Sequence, residues 1–433
     1  MCSSDLQGAD GHGRGLALGI QETHDARHRA PVAEVRQRID GALADPPVRV
    51  VQCLDEVLHG TLVLGGVENL HRGAPHELVV VAEQLQHGIE FVESGIDRVD
   101  VRSNTVYLET GRELAYDVLV VATGATLAFD ETEGLTGPGW MEKVFTFYDI
   151  AGATALEGAL DTFEGGRIVV NVVDMPIKCP VAPLEFCFLA DWFFTERGMR
   201  DKVQLTYVTP LDGAFTKPTA STQLSAMLAE KGIELVTEFN TGEVDGEGGR
   251  LVGYDGREVP FDLAVVVPAH SGAAYVGRSE GLGDDLDFVP TDPRTLQSLA
   301  HPNVFAIGDA TNVPASKAGS VTHFEGEVLA DNIVRFLEHR DLHDGYDGHA
   351  NCFIETGFSK ALLIDFNYDQ EPVTGHFPGP VGMPLLKESR LNHLGKLMFQ
   401  WVYWHALLPG RDIPGIGASM PRAGKHLPEK EYA

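Results

Sequence analysis

His301-Pro302-Asn303-Val304-Phe305-Ala306-Ile307-Gly308-Asp309-Ala310-Thr311 is the stretch around which the chain is organised. Val304 to Ile307 form a short apolar run of the kind that fills a buried strand. Gly308-Asp309 stops it where backbone must come close to something. After a proline-containing loop, Lys317-Ala318-Gly319-Ser320 opens a helix expected to reach about Glu338. The free amides and positive dipole end of such a helix suit an electron-rich group. Strand, Gly-Asp turn and helix N-terminus make a candidate cofactor clamp, although a Gly-Asp pair alone is as often an ordinary turn.

Outward from that stretch, Tyr116 to Ala125 reads as a buried parallel strand ending at Thr123-Gly124, and Phe261 to Pro268 repeats the pattern. Each follows a hairpin, the first built from Thr105–Glu109 and Arg112–Leu114, and this echo points to two related dinucleotide-type domains. Ile89 to Glu93 alternates as a further strand. Nearer the start, Thr61 to Leu64 reads as a strand entering a glycine turn and Glu77 to Ala82 as the next strand. A nucleotide-binding unit needs G-x-G-x-x-G between them. Gly65 and Gly66 are present and the third glycine is missing. Residues 1–60 carry only a hint of a strand at Val48–Val51, and Met1 to Leu6 reads like a translated sequencing adapter; no function is assigned there.

The second domain is expected to start at the strand Gly166–Val173. A nicotinamide-binding protein places a glycine-rich loop directly after that strand. Here Asp174-Met175-Pro176-Ile177-Lys178-Cys179-Pro180-Val181-Ala182-Pro183-Leu184-Glu185 puts side chains and prolines where backbone would have to approach a pyrophosphate. Pro180 and Pro183 suit the first turn of a helix through Glu185 to Arg197, which sets Cys179 at its N-terminus beside Lys178. Those conditions favour a reactive thiolate, whereas Cys187 inside the apolar helix reads as a buried hydrophobe. Cys352, between a loop and a strand, completes the set of notable thiols.

Composition narrows the function. A chain of 433 residues with 43% hydrophobic residues, 48 Gly and 24 Pro makes two or three globular domains. Acidic residues outnumber basic ones 63 to 33 for a formal charge of -30, which argues against nucleic acid. Five irregularly spaced cysteines fit neither a disulfide framework nor a zinc site, so no metal is expected and the compartment reads as reducing. No apolar run is long enough to span a membrane.

Ile177 to Glu185, Gly308 to Thr311 with Ser316 to Gly319, Cys352, and Leu386 to Lys396 resemble the sulfide:quinone oxidoreductases. The likeness covers about residues 88–420. It implies an α/β fold of two Rossmann-like FAD/NAD(P)-binding-type domains with parallel sheets, plus a C-terminal α+β tail that associates with a membrane. The FAD-binding domain would comprise 61–150 and 270–340, the second domain 151–269, and the redox-cysteine, quinone and membrane-surface region 341–433. The implied activity is FAD-dependent oxidation of sulfide with transfer of two electrons to a membrane quinone, on the cytoplasmic side as a peripheral protein. A homo-oligomer is compatible with it.

Carried over by that resemblance, Cys179 and Cys352 are the redox pair. FAD contacts fall on Gly65, Gly66, Thr123, Gly124, Gly308, Asp309, Lys317, Ala318 and Gly319, with Asp309 on the ribityl hydroxyls. Gly395 to Phe399 matches the quinone segment, which assigns Phe399 to stack on quinone with Lys396 nearby. Many members carry a third cysteine before the second domain, and Ala122 to Trp140 contains none. In the tail, Leu394, Leu397, Met398, Trp401, Val402, Trp404 and Leu408 make an apolar face; a helix docked into the core would show the same pattern. Lys387, Arg390, Lys396, Arg411, Arg422 and Lys425 against Glu388 and Asp412 give the tail a positive charge suited to an anionic leaflet. The alternatives are a type II NADH:quinone oxidoreductase, a flavocytochrome-type sulfide dehydrogenase, and an inactive flavin-less relic.

Overall fold

The structure is a computed structural model that describes residues 50–53, 90, 92–407 and 416–427. In chain order, β1 (Val50–Cys53) precedes an antiparallel meander of β2 (Ile96–Asp100), β3 (Thr105–Leu108) and β4 (Glu113–Ala115), then β5 (Val118–Val121) and β6 (Thr126–Ala128). The second unit begins with β7 (Val144–Phe145), α1 (Ile150–Thr162), β8 (Gly166–Val172), α2 (Ala182–Glu196), β9 (Val203–Val208), α3 (Pro218–Glu230) and β10 (Ile233–Val236). A second meander of β11 (Thr241–Asp245), β12 (Arg250–Gly253) and β13 (Glu258–Pro260) leads into β14 (Leu263–Val267) and β15 (Ala269–Ser271). The chain then returns through β16 (Val304–Ala306) and α4 (Gly319–Leu337). It ends with β17 (Ala350–Gly357), β18 (Lys360–Phe366), β19 (Gly375–Phe377), β20 (Met383–Leu385) and α5 (Arg390–Val402).

Both halves are built on parallel sheets, as expected. β5 pairs in parallel with β1 on one side and β16 on the other. The second sheet runs β10-β9-β8-β14-β7, parallel throughout. The residues explain this: every side chain of β5 (VLVV) and β14 (LAVVV) is buried, and continuous β-branched runs belong in sheets covered on both faces. The internal echo is real in three dimensions. Each meander feeds a buried parallel strand, and each strand feeds one member of the antiparallel pair β6–β15 through which the chain crosses between the units.

Several expectations change. Val92 to Gly95 carry no strand; the meander begins at Ile96, because alternation there is carried by the ladder to β3. Val50–Cys53, within the segment left unassigned, supplies the strand beside β5. Thr61 to Ala82, with Gly65 and Gly66, lies outside the described residues. One core joins the two halves, running from Val118 and Phe305 through Val170 and Val265 to Phe188 and Ile354.

Candidate active site

The clamp at residues 304–319 forms as the sequence suggests. β16 ends at Ala306, Gly308 adopts φ 66, and Gly308–Ala310 make a single turn. α4 then starts at Gly319 with Ala318 as an extended N-cap that offers no side-chain hydrogen bond, so its first amides are free for a ligand. Burial raises the acid strength threshold of Asp309, whose carboxyl titrates above the usual range while Lys317 and Lys178 pull it back. Lys317 lies at the same turn. Its ammonium donates to the carbonyls of Asp309 and Thr311, both at 2.8 Å, and lies 4.1 Å over the ring of Phe288, so it braces the loop. Burial first, against the nearby carboxylates, lowers its pKa to about 8.

Cys179 is drawn to this clamp. Its amide donates to the Lys317 carbonyl at 2.6 Å, its carbonyl accepts from the Tyr148 hydroxyl at 3.3 Å, and its backbone is left-handed at φ 45, a strained conformation for a side-chain-bearing residue. α2 begins three residues later with Pro183 in its first turn and Val181 as N-cap. Cys179 is disulfide-bonded, whereas Cys187 and Cys352 are free thiols, so the expected redox pair Cys179 and Cys352 is not bridged to itself. Cys187 is wholly buried with its thiol pushed far up by desolvation.

Cys352 lies on β17, and the residue before it is tied to the same helix start: Ser320 donates to the Asn351 carbonyl at 2.9 Å. The beginning of α4 thus touches both cysteine-bearing segments. Burial pushes the Cys352 thiol up to about 11; the Glu185 carboxylate adds to this and the Lys396 ammonium opposes it. Glu185 of α2 and Lys396 of α5 form an ion pair, both nearly buried. Burial outweighs the lysine and lifts Glu185 to about 7. Beside them Glu355 of β17 holds the His393 imidazole at 2.9 Å.

The crossover strands complete the wall. His270 on β15 bonds the Pro268 carbonyl through Nδ1 at 2.9 Å, and its buried Nε2 has no hydrogen-bond partner among the described residues. Burial, reinforced by Lys178 and Lys317, drops its pKa to about 3, so it is a neutral acceptor. Gly124, at φ 70, and Gly319 both face open space where a Cβ would meet no atom within 4 Å. Thr123, expected to touch the cofactor, shares its hydroxyl with Tyr275 at 3.3 Å. Sequence reasoning passed over Tyr148, Glu185, His270, Glu325, Glu355 and His393, of which Glu185 and His393 lay inside motifs already singled out.

Past β8, the Asp174–Val181 segment leads straight into α2 without a glycine-rich turn, so nothing there prepares a nicotinamide site. No family model matches the chain. It is 25% identical to the mitochondrial sulfide:quinone oxidoreductase of Mus musculus over 81% of this chain and 77% of that protein. The corresponding protein of Dictyostelium discoideum is 28% identical over the same shares of both chains. The solved structure of the sulfide:quinone oxidoreductase from Aquifex aeolicus superposes with a TM-score of 0.60 at 20% identity, covering 75% of this chain and 76% of that one.

Over at least three quarters of its length the chain is similar to sulfide:quinone oxidoreductases. Its C-terminal helix departs from a core-docked one. The polar side of α5 faces the body, with Asn392 buried, His393 on Glu355, Lys396 on Glu185 and Gly395 against Met383. Leu394, Leu397, Met398 and Trp401 are 52–64% exposed on the outside. Phe399 is half-buried, Leu408 lies outside the described residues, and no helix among them is long and apolar enough to cross a membrane. Two charges counted for the surface are spent internally, since Lys396 pairs with Glu185 and the fully buried Lys425 pairs with Asp365 at 2.5 Å. Lys387, Arg390 and Arg422 remain outward among the described basic residues.

Proposed function

We propose that the chain uses FAD to oxidise sulfide and passes two electrons to a membrane quinone, with Cys179 and Cys352 as its redox cysteines. The observation that carries this is the Cys179 amide bonded to the Lys317 carbonyl, which joins a disulfide cysteine to the Gly308–Asp309 clamp. The residues fit a flavin: open space at Gly124 and Gly319, uncapped amides at the start of α4, and the unpartnered His270 Nε2 all suit a planar, hydrogen-bonding ligand. Asp309 would take the ribityl hydroxyls, the Ala318 and Gly319 amides the pyrimidine edge, and Gly65 and Gly66 the pyrophosphate. FAD, when bound, supplies the two-electron acceptor that thiols alone lack.

Hydrosulfide attacks the disulfide of Cys179. One S–S bond forms and one breaks, leaving a persulfide on one cysteine and a thiolate on the other. Cys352, protonated at neutral pH, must give up its proton to take part, and the Glu185 carboxylate within electrostatic reach is the base available. Tyr148 and Lys317 hold the Cys179 backbone in place throughout. At the other end, α5 lies on an anionic leaflet through its outward apolar stripe. Lys387, Arg390 and Arg422 add about 1 kcal/mol each, and Phe399 with Lys396 borders the quinone.

The deciding experiment is the visible spectrum of the purified protein under anaerobic conditions. A flavin spectrum that bleaches with sulfide, ignores NADH and returns with a short-chain quinone is the expected result. Absence of flavin, or bleaching by NADH in place of sulfide, overturns the proposal.

A further inference from the structure

Glu325 sits two turns into α4 with none of its surface exposed. Its Oε2 accepts the Gly308 amide at 2.6 Å, while Oε1 has no hydrogen-bond partner and no cation among the described residues reaches ion-pair distance of it. A carboxyl in that position cannot stay ionised without cost, because one amide replaces little of its lost hydration. It also stands one hydrogen bond behind the turn that presents Asp309. The groups facing it are Asp309 from that turn, Lys317 from the loop before α4, and the phenols of Tyr346 and Tyr368 from the segments on either side of β17 and β18. Both phenols are held neutral by burial, and Lys317 is committed to the carbonyls of Asp309 and Thr311.

We infer that Glu325 is a redox-linked acid of the flavin site, binding one proton from solvent when two electrons arrive on the flavin and releasing it when they leave for quinone. This rests on the flavoprotein reading above. Negative charge arriving beyond Gly308 stabilises the protonated form of a carboxyl already shielded from water. Burial, then the neighbouring Asp309 charge, has raised the Glu325 pKa to about 8 in the protein without ligand. Below that value the acid is protonated in both redox states and the coupling is silent; above it, reduction takes up the extra proton.

Spectroelectrochemical titration of the flavin-loaded protein from pH 6 to 10 tests this, with Glu325→Gln as the comparison, since the amide oxygen still accepts from Gly308. Above about pH 8 the wild-type midpoint potential should fall more steeply than that of E325Q by about 30 mV per pH unit, one tenfold change in proton activity for a two-electron couple. Parallel lines overturn the inference while leaving the flavoprotein reading intact. Thermal melts without added ligand supply a second readout. Because the folded pKa lies above the ordinary 4.5, wild type loses stability as pH rises from 4.5 through 8. E325Q does not, so its advantage in melting temperature should widen between pH 5 and 9. A gap that stays constant sinks the inference even in a preparation that retains no flavin, whereas absence of flavin by itself overturns both proposals.

Discussion

Two strand ends with the same topology behave in opposite ways. Where β16 ends, Gly308 turns into the left-handed region, Asp309 faces inward, and α4 opens with bare amides at Gly319. Where β8 ends in the second unit, Asp174, Pro176 and Cys179 fill the corresponding turn, and the helix that follows opens with Pro183 and buries its own Phe186, Phe188, Leu189 and Phe194. The first end is shaped to receive a cofactor. The second has traded its ligand space for a cysteine pressed against the first. One βα framework thus serves two chemistries, and the loop residues decide which.

The sharpest way to break that comparison is to disarm the second end. Cys179→Ser should abolish sulfide-dependent bleaching of the flavin while leaving flavin content unchanged; stopped-flow absorbance after anaerobic sulfide would reveal a surviving wild-type rate. Cys352→Ser should do the same.

Glu185→Gln leaves Lys396 buried without its counter-charge and should cost about 3 kcal/mol, read from urea unfolding. Lys396→Met in the same background should recover most of that loss, because the pair is removed together. An unaltered midpoint in the single variant would mean that the Glu185–Lys396 pair does not tie α5 to α2.

Smaller effects come from the outward stripe of α5. Leu397→Gln or Trp401→Gln should each weaken sedimentation with anionic vesicles about tenfold or more, given about 1.5–3 kcal/mol for burying a large apolar side chain. Little change in melting temperature should accompany it, since both residues are more than half exposed.

At the first end, Gly308→Ala places a methyl 2.9 Å from the Thr322 hydroxyl at a φ of +66, whereas Gly124→Ala at φ +70 meets nothing. Left-handed strain alone costs about 1–2 kcal/mol, so Gly308→Ala should exceed Gly124→Ala in lost melting temperature. Both should weaken flavin retention. The smallest expected effect is none: NADH should leave the flavin oxidised, and bleaching would show that the second end holds nicotinamide after all.

Much of the architecture was readable from local pattern. Buried β-branched runs at Val118–Val121 and Leu263–Val267, the repeated meander, and Gly308-Asp309 before a helix are signals carried within ten or twenty residues. Cys179 at the start of α2 was legible for the same reason, as proline and helix periodicity mark that boundary. The strand expected at Ile89–Glu93 lies partly outside the described residues, and the described Val92 to Gly95 join no strand, since alternation says nothing about whether a partner strand is in register.

The sequence by itself determined two parallel-sheet units, a glycine-aspartate clamp, a second strand end closed to nicotinamide, and an amphipathic C-terminal helix. Only the tertiary structure decided which face of that helix points out, that Lys396 meets Glu185 across 211 positions, and that Lys425 is spent inside on Asp365. It likewise left Cys352 a free thiol and buried Glu325 behind Gly308. Periodicity and motif spacing report on neighbours along the chain. The charge state of a buried group depends on desolvation and on partners brought in from distant segments, and those exist only once the core has closed.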